Sequence, residues 1–153
     1  MPEIEERLRD LGLTLPSPQQ PVANYLRAVR TGDLLFVSGH VPVQEGRIVY
    51  QGKLGGDMGV ETGYEAARLA VLNCLATVKE ELGDLDRVRR VVKVLGMVNS
   101  TPDFTETPAV MNGASDLLVQ LYGERGRHAR SAVGMSSLPH GVSVEIEMIV
   151  EVE

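Results

Sequence analysis

Cysteine is almost absent from this chain. Cys74 is the only cysteine in 153 residues. No intrachain disulfide can form, and a reducing cytoplasm is the expected setting. Three histidines and one cysteine fall at no metal-ligand spacing, so neither metal nor other cofactor is expected. No run approaches the roughly 18 apolar residues of a membrane span, so no membrane association is expected. Met1-Pro2-Glu3-Ile4-Glu5-Glu6 is acidic and lacks the apolar core of a secretory signal. Basic clusters are scarce as well. A net charge of −6 and a pI of about 5.1 weigh against a nucleic-acid or membrane-surface binder, although Arg125, Arg127, His128 and Arg130 crowd one short segment. The glycines at 52, 55, 56 and 59 are not followed by the Lys-Ser/Thr of a phosphate loop. Repeats and low-complexity linkers are missing too, and the length suits a single domain over 1–153.

What is present is strong patterning. From 142 to 152 every even position, Val142, Val144, Ile146, Met148, Val150 and Val152, is apolar. The period of two predicts a strand with one buried face. Leu138-Pro139-His140-Gly141 has turn chemistry and predicts a hairpin folding this strand back on one at 131–136. Arg130 would stand at its entrance, with Glu145 opposite the apolar stripe. A guanidinium fork beside a strand carboxylate suits a small carboxylate-bearing molecule.

Upstream, Ile4, Leu8 and Leu11 predict a helix over 2–12, and Pro16, Pro18 and Pro21 an extended connector, so that 1–20 precede the main body. Tyr25 to Val29 and Leu34 to Val37 flank a Thr31-Gly32-Asp33 hairpin signal, and Gly46 to Tyr50 could add an edge strand. Ala67, Val71, Cys74, Leu75, Val78 and Leu82 form one stripe of a helix over about 60–82, with Gly83 as its stop. A strand over Val88 to Val98 follows. Thr107 as cap and Pro108 at the first helical position start a second helix, closed by Gly123. This order predicts an α+β fold, two main helices on one face of a mixed sheet. Leu34 to Val37 and Val88 to Val98 are apolar at both parities, so the second sheet face should be covered as well, by neighbouring subunits.

The order and its motifs resemble the YjgF/Rid family of reactive intermediate deaminases. The resemblance spans about 20–153. It rests on Ser38-Gly39-His40-Val41-Pro42, Tyr25 upstream, Asp103-Phe104, Asn112, Arg130-Ser131, Leu138-Pro139 and Val144-Glu145-Ile146-Glu147. It implies a chorismate-mutase-like homotrimer with ligand sites between subunits. It also implies hydrolysis of enamine and imine acids, such as 2-aminoacrylate, to 2-keto acids and ammonia. Arg130, Glu145 and Tyr25 would then be catalytic, with Gly39, His40, Asn112, Ser131 and Ala132 binding substrate. The chain departs from the best-known members at His40 (commonly glutamine), at Ala132 (often cysteine), over 123–129 and in its N-terminal helix. A non-catalytic metabolite-binding module is the alternative. Endoribonuclease or translation-inhibitor activity, names long attached to the family, is disfavoured by the acidic balance.

Taken singly, each residue has a plainer reading. Arg130 could be a surface arginine, Glu145 a solvated strand residue, Tyr25 a core-edge aromatic and His40 a structural histidine. Ser38 and His40 make no triad, since no acid accompanies them. Cys74 lies on the helical core stripe, and Arg125, Arg127 and His128 read as a solvated loop, with an extension of the ligand site as the alternative.

Overall fold

A computed structural model describes residues 2–21 and 23–153. Its elements are α1 (Glu3–Asp10), β1 (Ala28–Thr31), β2 (Leu34–His40), β3 (Val43–Gln44), β4 (Arg47–Ile48), α2 (Val60–Leu82), β5 (Val88–Asn99), α3 (Thr107–Tyr122), β6 (Ala129–Met135) and β7 (Val144–Val152). A five-stranded sheet runs β1-β2-β7-β5-β6, and β3-β4 form a separate two-stranded ribbon. Of these strands only β5 and β6 pair in parallel, joined by α3 as crossover.

The period-two pattern of β7 sends Val144, Ile146, Met148, Val150 and Val152 under the helices, with Val91, Val94 and Val98 of β5 beside them. Ala66, Ala67 and Ala70 let α2 approach the sheet and α3 closely. The helices touch at Gly113, where a β-carbon would overlap the Tyr64 carbonyl. Ahead of this body, α1 buries Ile4 and Leu8. The backbone N–H groups of Glu3 and Ile4 donate to the Asp86 carboxylate at 2.7 and 2.9 Å, a cap supplied from across the fold.

The opposite face of the sheet carries no helix. Val29 and Phe36 stand 51% and 42% exposed there, near Leu95 and Ile149 in a shallow concavity.

Two expectations are corrected. The closing hairpin does not form, because β6 and β7 flank β5 and do not touch each other. β5 presents apolar groups on both faces and two open edges, and the 136–143 loop steps over its end to reach the far edge. The step spans two strand spacings, roughly 9–10 Å. The loop is tied down there, with Asn99 N–H donating to Ser143 O and Ser100 N–H to Met135 O. Thr107 also does not cap α3. Glu106 holds the cap position without a side-chain bond, and the Thr107 hydroxyl donates to Ala132 O at 3.0 Å.

Candidate functional site

Two clusters hold the residues singled out by sequence, and the sheet stands between them. The first lies where β2 meets β7. Glu145 projects from the helix-free face, opposite Met97 of β5. Gly39 lies against its carboxylate so closely that a β-carbon there would collide with it. Gly39, Glu145 and Tyr25 line one cleft of about 590 Å³, together with Ser38, Glu147, Pro139 and His140. Burial, and then the neighbouring charge of Glu147, raises the Glu145 pKa above the ordinary carboxylate value. Among the described residues Glu145 makes no ion pair.

His40 does not reach this cleft with its side chain. His40 is 3% exposed, with its ring on the helix side. Nδ1 lies 2.6 Å from Ser38 O and Nε2 lies 2.8 Å from Thr77 Oγ1 of α2. Desolvation holds its pKa below the usual histidine value, and the nearby Arg27 charge acts in the same direction.

The second cluster belongs to β6 and α3. Arg130 pairs with Val94, a helix-side position, and its guanidinium turns to α3. Nη1 donates to Asn112 Oδ1 at 2.9 Å and to Ser115 Oγ at 3.1 Å. Asn112 and Ser115 are one helical turn apart, which puts both side chains on one face. Ser115 Oγ also meets His128 Nε2 at 2.9 Å. His128 is half-buried, and desolvation, aided by the Arg130 charge, lowers its pKa. No carboxylate neutralises Arg130 among the described residues, and the Nε–Nη2 edge of its fork makes no hydrogen bond there. That edge can take a carboxylate bidentately. Ser131, next along β6, faces the helix-free side, and Ala132 faces the helices, packed on the core.

Within one chain, then, Tyr25, Gly39 and Glu145 come together, and Arg130 comes together with Asn112. The two sets project from opposite faces of the sheet. Sequence reasoning missed Ser115, whose signal is its spacing from Asn112, and assigned His128 to a solvated loop. It also read His140 only as a turn residue. Arg125 is a structural side chain, donating to Val88 O at 3.1 Å and lying over the Tyr122 ring. Cys74 is fully buried, with its thiol pKa pushed up by desolvation. Among the described residues no group of His, Cys, Asp and Glu could hold a metal, and no helix is long and apolar enough to cross a membrane.

Comparison with known proteins places this geometry. Residues 5–151 match the family described as "YjgF/chorismate mutase-like, putative endoribonuclease". The chain is 44% identical to Protein TCP17 of Trypanosoma cruzi over 149 residues, covering 97% of this chain and 93% of that protein. It superposes on the Atu1372 protein of Agrobacterium tumefaciens with a TM-score of 0.93 and 49% identity, over 98% of this chain and 92% of the other. The E. coli TdcF structure, solved with bound serine, is more distant: TM-score 0.61 and 25% identity, over 92% and 96% of the two chains.

Proposed function

Since the chain belongs to the YjgF/chorismate mutase-like family, we propose that it hydrolyses small enamine and imine acids to 2-keto acids and ammonia, in clefts between the subunits of a homotrimer. The observation that carries this reading is the split site. A raised, unpaired carboxylate at Glu145 and an open guanidinium fork at Arg130 lie on opposite sheet faces of one chain. They meet in one cleft only if a second copy supplies one of them. A small carboxylate-bearing ligand suits the fork, and the TdcF neighbour was solved with serine, a molecule of that kind.

In this mechanism Arg130, steadied by Asn112 and Ser115, holds the substrate carboxylate. The imine carbon lies near Glu145 and Gly39 of the neighbouring copy. Water adds to that carbon as Glu145 takes one of its protons and passes it to nitrogen, giving a carbinolamine. Glu145 then takes the hydroxyl proton and delivers it to the nitrogen as the C–N bond breaks, so ammonia leaves with that bond's electron pair and the oxygen closes the C=O of the 2-keto acid. An imine carbon is already electrophilic, so positioning and one base suffice. Burial makes Glu145 a stronger base than a solvated glutamate. Tyr25 lines the cleft as a hydroxyl beside the reacting atoms, and the β6 backbone at Ser131 and Ala132 borders the Arg130 end. No cofactor takes part. Cytoplasmic placement fits both the chemistry and the lone buried thiol.

The test is ammonia release from imines generated in situ by an amino-acid oxidase, with and without the purified protein. Acceleration supports the hydrolase. Binding of a 2-keto acid without acceleration would instead support a non-catalytic binding module, and failure of both would remove the reading.

A further inference from the structure

The bulge in β2 decides which residue of Ser38-Gly39-His40 meets the cleft. Between Val37 and His40, β2 advances three residues while β7 advances two, from Met148 to Ile146. Leu35 and Val37 lie under the helices. Strict alternation from them would send position 39 to the helix side and position 40 outward. The extra residue reverses this. Gly39 faces Glu145, and the imidazole of His40 enters the core instead.

A polar ring in that layer must be matched by partners. Its Nδ1–H donates to Ser38 O at 2.6 Å, and its Nε2 accepts from the Thr77 hydroxyl at 2.8 Å. Ser38 is held at two further points. Its N–H donates to Arg27 O at 2.8 Å and its hydroxyl to Leu26 O at 2.6 Å. The ring is thus the one link from the bulge to α2 among these bonds. The lowered pKa agrees with a neutral ring that donates at one nitrogen and accepts at the other.

We propose that His40 is a positioning residue for the cleft reaction: by tying the Ser38 carbonyl to Thr77 of α2, it holds the bulge that turns Gly39 toward Glu145. The inference rests on the hydrolase reading above. His40 touches no substrate, so its effect should fall on turnover and spare the grip on the carboxylate. Glutamine at this position retains an amide N–H for Ser38 O and an oxygen for Thr77. Leucine suits the apolar layer but leaves Ser38 O without its ring partner.

The experiment uses the full chain with His40→Gln, His40→Leu and Thr77→Val, each checked for parental mass and circular dichroism. Two readouts are taken: the backbone amide shifts of Ser38 and Gly39, and kcat and KM for imine hydrolysis. His40→Gln should keep the amide shifts and stay within about threefold of the parent kcat. His40→Leu should move the Gly39 amide and lose about 10²-fold in kcat, the scale of a small misplacement in a positioned site, with far less change in KM. Thr77→Val, which removes a partner outside the cleft, should fall between them. The proposal is overturned if His40→Leu keeps the parent amide shifts or kcat, or if His40→Gln falls as far as His40→Leu. Should His40→Leu not fold, an unchanged kcat and an unmoved Gly39 amide in Thr77→Val would overturn it equally. A parent protein that releases no ammonia removes the hydrolase reading instead, and the amide shifts still decide whether His40 sets the bulge.

Discussion

Among the described residues nothing balances the charge of Glu145 or of Arg130, and their substitutions should separate cleanly. Glu145→Gln should bind a 2-keto acid nearly as well as the parent while turnover drops by roughly 10²–10⁴-fold, the usual loss for a general acid–base group. Steady-state kinetics beside calorimetry would check this, and unchanged turnover would return Glu145 to an ordinary strand residue. The same carboxylate has a stability signature. Its folded-state pKa lies above its unfolded one, so between the two the folded chain holds a proton that the unfolded chain has released. Stability therefore declines as pH rises through that window. Glu145→Gln should raise the melting temperature at neutral pH, with the gain vanishing as pH drops below about 4. Arg130→Ala should abolish keto-acid binding, a loss on the order of 2–5 kcal/mol, and Arg130→Lys should restore little because an ammonium lacks the planar fork. Arg125→Ala is the control. It removes a bond to Val88 O and a contact with Tyr122, so it should affect melting and leave binding alone.

At the scale of elements, α1 depends on a cap it does not encode. Asp86 accepts from both Glu3 and Ile4, and Asp86→Ala should cost about 0.5–2 kcal/mol, read as a lower denaturant midpoint with unchanged slope. Gly113→Ala should cost more than a surface change, since its β-carbon meets backbone at Tyr64 and the helices must part. Element existence was legible because each stripe is local: Val71, Leu75, Val78 and Leu82 for α2, the even positions 144–152 for β7. Pairing was not. Leu138-Pro139-His140-Gly141 has turn chemistry whether the next strand folds back or crosses over, and only the two hungry edges of β5 decide between them. The bulge was equally hidden, because Ser38-Gly39-His40 obeys alternation on paper and breaks it only against β7.

For the molecule as a whole, the helix-free face is the unfinished surface. Val29 and Phe36 are more than 40% exposed there, and three copies closing around an axis would cover them. Sedimentation should give about three times the 16.6 kDa chain mass. Phe36→Glu should shift the protein toward monomer with secondary structure intact, and should remove turnover as well if the site is shared between copies. Sequence reading named Arg130, Asn112, Glu145, Gly39 and Tyr25 for a single site, and the structure divides them into two sets, Arg130 with Asn112 and Glu145 with Gly39 and Tyr25. Sequence reading could not reach their separation, because which face a strand residue takes depends on pairing partners more than a hundred positions away, as Leu34 is from Glu151.

That distance also sets an order of events during synthesis. β7 lies between β2 and β5, so as the chain emerges from a ribosome the β1–β2 hairpin and β5 each wait with an unfilled edge until residues 144–152 arrive. Everything made earlier must be kept from pairing with strangers in the interval. A premature stop between Met135 and Val144 would leave two half-sheets with no strand to join them, a product for the cell's proteases and not a shortened working protein.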